Sequence, residues 1–254
     1  MTRTFIIDYL PESATRYVSE YAIAAVDVIR ATTMAVTAVT IGHICYSVAS
    51  EQEAFALAGT LKMPLLAGEL KGIMPNGFHM NNSPAELVLR AEIDRPLILL
   101  SSSGTKLLHT AGLCKYVYIS CLRNYSAVTR YMAKHHPRIA LIGAGSRGQF
   151  REEDQLCCAW MGKHLMRLGY EPVNQATSTI VERWRDAPVG ACALGESAAY
   201  LARTGQLDDL DFVLSHVDDL ETVFTLQGAE IVTICPPQKR RTQTKSPPLS
   251  AVAD

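Results

Sequence analysis

The sequence predicts an α/β fold: a layered sheet of largely parallel or mixed strands, with flanking helices and an active site at the carboxyl ends of the strands. Three observations support this fold class. Short, nearly continuous apolar runs recur along the chain, helix-like segments separate them, and polar or charged residues gather where the runs end. Strands that are covered on both faces have this apolar character, and their alternation with helices is typical of a largely parallel sheet.

The elements follow from these runs in chain order. Strands are predicted at residues 5–8, 22–28, 44–48, 64–68, 96–102, 116–120 and 138–144, with a final pair within 222–234. Helices are predicted at residues 32–41, 51–61, 84 onward, 124–132, 154–169 and across most of 175–219.

Capping residues mark several helix ends. Ser50 and Glu53 form a capping box, in which side chain and backbone satisfy each other's free groups. Ser83 followed by Pro84 combines an N-cap residue with a proline at the first helical position. Gly42 is suited to the left-handed conformation that ends many helices.

The organisation of the chain is read from its length and from changes in pattern. The 254 residues allow one large α/β domain or two small ones. We predict an N-terminal α/β lobe over residues 1–125 and a C-terminal α/β lobe over 126–235. Residues 236–254 are rich in Pro, Lys, Arg, Ser and Thr, and we predict a disordered tail there.

Composition narrows the class of protein. Hydrophobic residues make up 48% of the chain, charged residues 19%, and the formal net charge is -1. A nucleic-acid-binding protein usually has a strong basic excess, so no nucleic-acid partner is expected. Seven cysteines without C-x-x-C spacing suggest reduced thiols and a cytoplasmic location. No signal peptide or membrane-spanning apolar run is recognised, so no membrane partner is expected.

The first junction with chemical character is VDVIRATT, residues 26–33, where a strand gives way to a helix. Asp27 offers a carboxylate to a metal ion, Arg30 offers a cation to an anion, and Thr32 and Thr33 place hydroxyls at a helix N-terminus. A capped helix with an Asp–Arg surface pair is the alternative interpretation.

Two further strand ends lead into polar loops. Glu69 opens the loop 67–86, in which exposed N–H groups at Asn82 and Ser83 suit an anion. The loop SSSGTK, 101–106, places hydroxyls and a glycine before a helix, an arrangement that suits a phosphate or carboxylate. The alternatives are an irregular connection in the first loop and a simple capping turn in the second.

Arg123 and Asn124, in CLRN, follow the strand 116–120 and are expected at the same edge of the sheet. Asn124 is also a satisfactory N-cap for the next helix, which is the alternative.

The stretch GAGSRGQFREED, residues 143–154, matches the glycine pattern of dinucleotide-binding loops. A nucleotide is nevertheless disfavoured, because five residues intervene before the helix and three acids follow, including Glu153 and Asp154. Clustered carboxylates suit a hard divalent cation such as Mg²⁺, although acids near a helix start also complement its dipole.

Six motifs, taken in order along the chain, resemble those of the 2-phosphosulfolactate phosphatase family. They are VDVIRATT, GEL-x-G, GF-x-x-NNSPAE, SSSGT, Asn124 and GAGSRGQFREED. The pattern of that family is similar to DV-[LI]-RATT, GER-x-G, GFD-x-GNSP-E, TTTNGT, N and AG-x-x-G-x-F-x-x-ED. The resemblance is clear over about residues 27–161.

The resemblance implies an α/β, Mg²⁺-dependent phosphatase with its active site in a cleft at the strand ends. The family converts 2-phosphosulfolactate to 3-sulfolactate, a step towards coenzyme M in some organisms, so a small phosphorylated, anionic substrate is expected. The site residues carried over by motif are Asp27, Arg30, Glu69, Asn82, Ser83, Ser101, Ser102, Ser103, Gly104, Thr105, Asn124, Gly145, Glu153 and Asp154.

The chain departs from the family pattern in its anion-binding loops. Leu70 replaces the arginine of GER, with Lys71 beside it, Asn81 stands where glycine is usual, and Ser103 replaces the asparagine of TTTNGT. These departures leave the exact substrate open.

Our hypothesis is metal-assisted hydrolysis of a phosphate monoester. Asp27, Glu69, Glu153 and Asp154 would supply Mg²⁺ ligands or a base that orients water, whereas Arg30, Arg123 and Arg147 would hold anionic oxygens. Other phosphorylated or sulfonated metabolites, and binding without turnover, are alternatives. Attack by Asp27 as a covalent nucleophile is an alternative to attack by water. A homodimer is also open, because homodimers are common among soluble enzymes.

Overall fold

The computed structural model describes residues 2–235, which form helices around one ten-stranded sheet. The predicted tail therefore lies outside the described residues. The strands are β1 (Thr4–Tyr9), β2 (Ala22–Val26), β3 (Cys45–Val48), β4 (Leu65–Gly68), β5 (Leu97–Leu100), β6 (Val117–Ser120), β7 (Arg138–Gly143), β8 (Glu171–Pro172), β9 (Val223–Gln227) and β10 (Glu230–Cys235).

The sheet is mixed, and its order is β4-β5-β3-β10-β9-β6-β2-β7-β1-β8. Two parallel blocks, β4-β5-β3 and β6-β2-β7-β1-β8, flank the antiparallel hairpin of β9 and β10. The hairpin pairs antiparallel with β3 on one side and with β6 on the other. The predicted fold class is thus confirmed. Strands from both halves of the chain share the larger block, and the division near residue 125 stays a prediction.

Nine α-helices are described over residues 2–235. They are α1 (Ala31–Ile41), α2 (Glu51–Ala58), α3 (Pro84–Leu87), α4 (Gly104–Ala111), α5 (Tyr125–His135), α6 (Glu152–Arg167), α7 (Gln175–Trp184), α8 (Glu196–Arg203) and α9 (Leu207–Ser215). Short 3-10 helices at Pro11–Arg16 and Val189–Leu194 add to them. None of the helices within 2–235 is long and apolar enough to cross a membrane.

The apolar strands are covered on both faces, as predicted. All five residues of β2 are buried, and they alternate between two hydrophobic clusters: Ile23 and Ala25 face one, whereas Ala22, Ala24 and Val26 face the other. Because alternate residues of a strand point to opposite faces, each cluster belongs to one face of the sheet. Burying a side chain the size of Ile contributes about 1.5–3 kcal/mol.

The predicted caps form at three helix ends. The Glu53 and Glu86 amides donate to the hydroxyls of Ser50 (3.2 Å) and Ser83 (3.0 Å), and Gly42 ends α1 with φ 115°. At α5 the cap differs. The side chain of Asn124 accepts from the Cys121 amide (3.0 Å) and donates to a strand carbonyl instead of capping the helix.

Candidate active site

A cleft of about 510 Å³ opens where the loops after β2, β4, β5 and β7 meet helix α8. Its lining includes Asp27, Glu69, Ser101 and Gly145, each of which follows the end of one of these strands. Four loops that are distant in sequence therefore build one site at strand carboxyl ends, where the sequence predicts it.

Asp27 lies buried at the floor of the cleft. Its Oδ1 accepts from the Ala31 amide (3.1 Å), at the start of α1, and its Oδ2 lies against Gly104. A Cβ at position 104 would stand 2.2 Å from that oxygen, so only glycine leaves room for the carboxylate. Burial, with a smaller effect from the charge of Glu69, raises the pKa of Asp27 to about 7, against the opposing effects of the Ala31 amide and Arg30.

Two further carboxylates lie beside Asp27 on the first turn of α6. Asp154 accepts from the amides of Val28 (2.8 Å) and Gly145 (3.3 Å), which fixes it against two loops. Burial, and then the charges of Asp27 and Glu153, raise the pKa of Asp154 well above its usual range. Burial also raises the pKa of Glu153 to about 7, and its buried Oε2 has no hydrogen-bond partner within residues 2–235.

Glu69 ties two loops together. Its Oε1 accepts from the Ser102 amide (2.8 Å), and its Oε2 accepts from the Ser102 hydroxyl (3.1 Å) and the Gly72 amide (2.6 Å). The loops after β4 and β5 are therefore fixed to each other. Glu69 therefore lines the cleft and also holds its two loops in place.

The carboxylates suit a hard cation, though not in the number that the sequence predicts. In residues 2–235, no three His, Cys, Asp or Glu side chains come together as a group that could hold a metal ion. The predicted set of four ligands is thus not assembled. Mg²⁺ commonly binds through one or two carboxylates, with water and substrate phosphate completing its shell. Asp27 and Asp154 fit that smaller donor set, because both line the cleft and each repels the other's charge.

Arg30 presents a buried cation to the cleft. It forms an ion pair with Asp209 on α9, and its Nη2 donates to the side-chain oxygens of Asn82 (3.1 Å) and Asn81 (3.4 Å). Arg30 and Asn82 both line the cleft. Ser83 caps α3 and donates to Asp209 (2.6 Å), so it supports this group and does not line the cleft.

The serine loop is only partly available to an anion. The Ser102 amide donates to Glu69 and the Gly104 amide to the Ser101 hydroxyl (3.2 Å), so two predicted anion donors are engaged inside the protein. Thr105 Oγ1 is also engaged, since it accepts from the Ser101 amide and donates to the Ser101 carbonyl. The side chains of Ser101, Ser102 and Ser103 do line the cleft.

Four predicted substrate-binding residues have structural roles instead. The hydroxyls of Thr32 and Thr33 donate to the carbonyls of Asp27 (2.7 Å) and Val28 (2.8 Å), which holds the start of α1. Arg123 pairs with Asp219 through two hydrogen bonds, and Asn124 is fixed as described above. None of the four lines the cleft, because all four side chains are buried and engaged inside the protein.

The rim of the cleft is cationic. Lys71, Arg147 and Arg203 are exposed and line it, and Arg151 lines it while pairing with Glu196 (3.0 Å). Lys71 and Arg147 are predicted site residues. Leu70, in place of the family arginine, packs against the hydrophobic cluster of β4 and β5 and does not line the cleft.

Arg151, Tyr200, Arg203 and Asp209 contribute to the site without being predicted. They lie at the start of α6 or in α8 and α9, a region where the sequence pattern indicates helices and no ligand chemistry. Only Arg151 has a local signal in the sequence, because the predicted site residues Glu153 and Asp154 follow it by two and three positions.

The glycine loop before α6 serves the carboxylates. Gly145 adopts φ 55°, and the Ser146 amide donates to the Gln149 carbonyl (2.8 Å) in a tight turn. The turn directs the Gly145 amide at Asp154 (3.3 Å), where a pyrophosphate would meet negative charge. This geometry agrees with the sequence argument against a dinucleotide site.

Comparison with known proteins identifies a family. The sequence model of 2-phosphosulpholactate phosphatase matches residues 9–229. A probable 2-phosphosulfolactate phosphatase of Symbiobacterium thermophilum is 36% identical over 194 residues, which cover 74% of this chain and 83% of the relative. A protein of the same description from Deinococcus radiodurans is 30% identical over 211 residues, which cover 81% and 86%. A third, from Caldanaerobacter subterraneus, is 26% identical over 224 residues, which cover 86% and 92%.

Proposed function

Because this chain belongs to the 2-phosphosulpholactate phosphatase family, we propose that it hydrolyses 2-phosphosulfolactate to 3-sulfolactate and inorganic phosphate with the aid of Mg²⁺. The family and the relatives make the chain a phosphatase, that is, a phosphoric monoester hydrolase. The substrate and the metal are the parts that we propose.

The observation that carries the proposal is the distribution of charge in the cleft. Asp27 and Asp154 lie on the floor, Arg30 lies beside them, and Lys71 and Arg203 stand at the rim. A phosphate monoester with further anionic groups needs cations around its oxygens, and a hard metal ion needs carboxylate oxygens. The cleft offers both within one volume.

Asp27 and Asp154 would hold the Mg²⁺, which when bound would neutralise charge on the phosphate and polarise its phosphorus–oxygen bonds. Arg30, fixed by Asp209 and Asn82, donates its remaining N–H groups to phosphoryl oxygens and stabilises the charge of the transition state. Asp27 Oδ2 would orient the attacking water, since its Oδ1 accepts from the Ala31 amide.

The rim residues bind the rest of the substrate. The sulfonate and carboxylate of 2-phosphosulfolactate are ionised at neutral pH, and Lys71, Arg147 and Arg203 carry the charges that match them. These residues come from three different loops or helices, so they would contact different parts of one small molecule. The substrate is thereby oriented with its phosphate towards the floor.

The test is phosphate release by the purified protein with Mg²⁺ and with a chelator. The substrates are 2-phosphosulfolactate, phospholactate, 3-phosphoglycerate and an aryl phosphate, and the variants are Asp154→Ala and, as control, Asp219→Asn outside the cleft. We expect Mg²⁺-dependent release that favours 2-phosphosulfolactate, with a loss of roughly 100-fold or more in Asp154→Ala. No release from any of the four esters would refute the proposal, and a preference for another ester would reassign the substrate.

A further inference from the structure

Asp209 is a buried acid that contacts the candidate site from outside the loops at the strand ends. It lies on α9, is 2% exposed, and forms an ion pair with Arg30, which is 4% exposed. Its Oδ1 accepts from the Ser83 hydroxyl (2.6 Å) and the Ala85 amide (3.1 Å), at the start of α3. Both oxygens of Asp209 are therefore engaged, and the carboxylate has little freedom to rotate.

The start of α9 contacts the same loop at a second point. Gln206, just before the helix, accepts from the Asn81 side chain (3.2 Å), and Asn81 and Asn82 in turn accept from Arg30. The guanidinium is thus held on one side by Asp209 and on the other by two asparagines. The contacts of Asp209 and Gln206 with residues 81–85 hold these partners in fixed positions around Arg30.

Arg30 and Arg123 allow a comparison within the chain. Both are buried arginines that pair with an aspartate, but Arg30 lines the cleft and Arg123 does not. Arg123 is held by Asp219 and donates to the Thr37 hydroxyl (2.9 Å), a neighbour with no place in the site. Loss of Asp219 should therefore affect folding alone, whereas loss of Asp209 should affect folding and chemistry.

We infer that Asp209 is a positioning residue for catalysis, which holds the Arg30 guanidinium in the orientation that binds the transferring phosphoryl group. This inference rests on the proposed function. A planar guanidinium binds a phosphate in two-point geometry only when its plane is fixed. An arginine free to rotate would bind phosphoryl oxygens more weakly in every complex, and the loss would be largest in the transition state.

The first experiment compares Asp209→Asn with Asp219→Asn in steady-state phosphate release from the best substrate. We expect kcat to fall roughly 100-fold in Asp209→Asn with a smaller change in KM, because misplacement of a catalytic group affects the transition state most. Asp219→Asn should retain kcat. Equal losses of kcat in the two variants, or an unchanged kcat in Asp209→Asn, would overturn the inference.

A second experiment tests whether Asp209 itself binds the guanidinium group. Arg30→Ala removes the guanidinium, and free guanidinium ion is then added at millimolar concentration. We expect partial recovery of phosphate release when Asp209 is present and none in Arg30→Ala combined with Asp209→Asn. The same recovery in both backgrounds would show that Asp209 does not hold the group.

A third measurement separates this inference from the proposed function. Binding of inorganic phosphate is followed by calorimetry in the unaltered protein, Asp209→Asn and Asp219→Asn, so that no turnover is needed. If no ester releases phosphate, the proposed function fails, while weaker phosphate binding in Asp209→Asn alone would still support the positioning role. Equal phosphate affinity in the three proteins would overturn it.

Discussion

Three buried carboxylates raise the free energy of the folded protein whenever they are ionised: Asp27 and Asp154, which line the cleft, and Glu153, which precedes Asp154 on α6. Burial raises the pKa of Asp27 and of Glu153 to about 7, from ordinary values of 3.8 and 4.5. Between the ordinary and the raised values, the folded protein binds more protons than the unfolded chain. Its free energy of unfolding must therefore decrease as the pH rises through that range.

We predict that the metal-free protein loses stability between about pH 4.5 and pH 8, and that Glu153→Gln reduces this loss. One pKa unit corresponds to about 1.4 kcal/mol, so a rise from 4.5 to about 7 makes the contribution of Glu153 roughly 3–4 kcal/mol. The measurement is the free energy of unfolding in urea at several pH values with a chelator present. Glu182→Gln, at an exposed position on α7, is the matched control and should leave the pH dependence unchanged.

An unchanged pH dependence in Glu153→Gln would show that Glu153 is not the source of the loss. If Glu153→Gln is more stable at pH 8 and also releases less phosphate, Glu153 lowers the stability of the protein but is needed for its activity. Asp154, whose pKa is also raised, should behave in the same direction when replaced by Asn.

Individual site residues differ in how well the sequence predicts them. Asp27, Arg30 and Asp154 are predicted to meet and do so, because carboxyl ends of strands in a parallel block lie at one edge. Arg123 also follows a strand but points at Asp219, and no local pattern reports the direction of one side chain. Asp209 lies in a region that the sequence shows only as mainly helical, so its contact with Arg30 could not be predicted.

Helix α4 approaches the end of β2 so closely that its first residue must be glycine. A Cβ at Gly104 would lie 2.2 Å from Asp27 Oδ2 and 2.4 Å from the Ala31 Cβ. A Cβ at position 104 would fit only if the Asp27 carboxylate or the start of α1 moved away. The role of this glycine is therefore steric, since its φ lies outside the left-handed region.

We predict that Gly104→Ala destabilises the protein by about 1–3 kcal/mol, as overpacking typically does, and displaces Asp27 enough to reduce phosphate release. Gly190→Ala is the matched control, because a Cβ there meets no atom within 4 Å. Urea unfolding and steady-state phosphate release report the two effects. Full activity in Gly104→Ala would contradict the assignment of Asp27 to the chemistry.

The elements themselves are well predicted where a strong local pattern exists. Each predicted apolar strand corresponds to a strand, and the caps at Ser50, Ser83 and Gly42 form. Strand β8 has only two residues, and the 3-10 helix at Pro11–Arg16 has six, so both are too short to produce a periodic signal. The helical region after residue 175 divides into α7, a 3-10 helix, α8 and α9, a division set by tertiary packing.

At the scale of the whole molecule, the pairing of strands is what the sequence least reveals. The sequence indicates a mixed or parallel sheet, but not that the hairpin of β9 and β10 would join two parallel blocks. Ile231 pairs with Cys45 at that junction, and a contact between residues so far apart leaves no local pattern. The same long-range order brings α8 and α9 to the cleft and so completes the site.

Selection among phosphate esters should depend on cations that this long-range order gathers at the rim. Lys71 follows β4, Arg147 follows β7, and Arg203 ends α8. Because the three are exposed, each contributes modestly and its effect is screened by salt. Their combined field favours a substrate with anionic groups beyond the phosphate.

We predict that Arg203→Ala raises KM for 2-phosphosulfolactate roughly 5-fold at low ionic strength. KM for an aryl phosphate should change much less, because the aryl group carries no charge for Arg203 to bind. Added salt should reduce the difference between variant and unaltered protein. Arg167→Ala, an exposed arginine on α6 outside the cleft, is the matched control and should leave both values unchanged. An equal rise for both substrates would instead place Arg203 at the phosphate, and no rise for either would remove it from substrate binding.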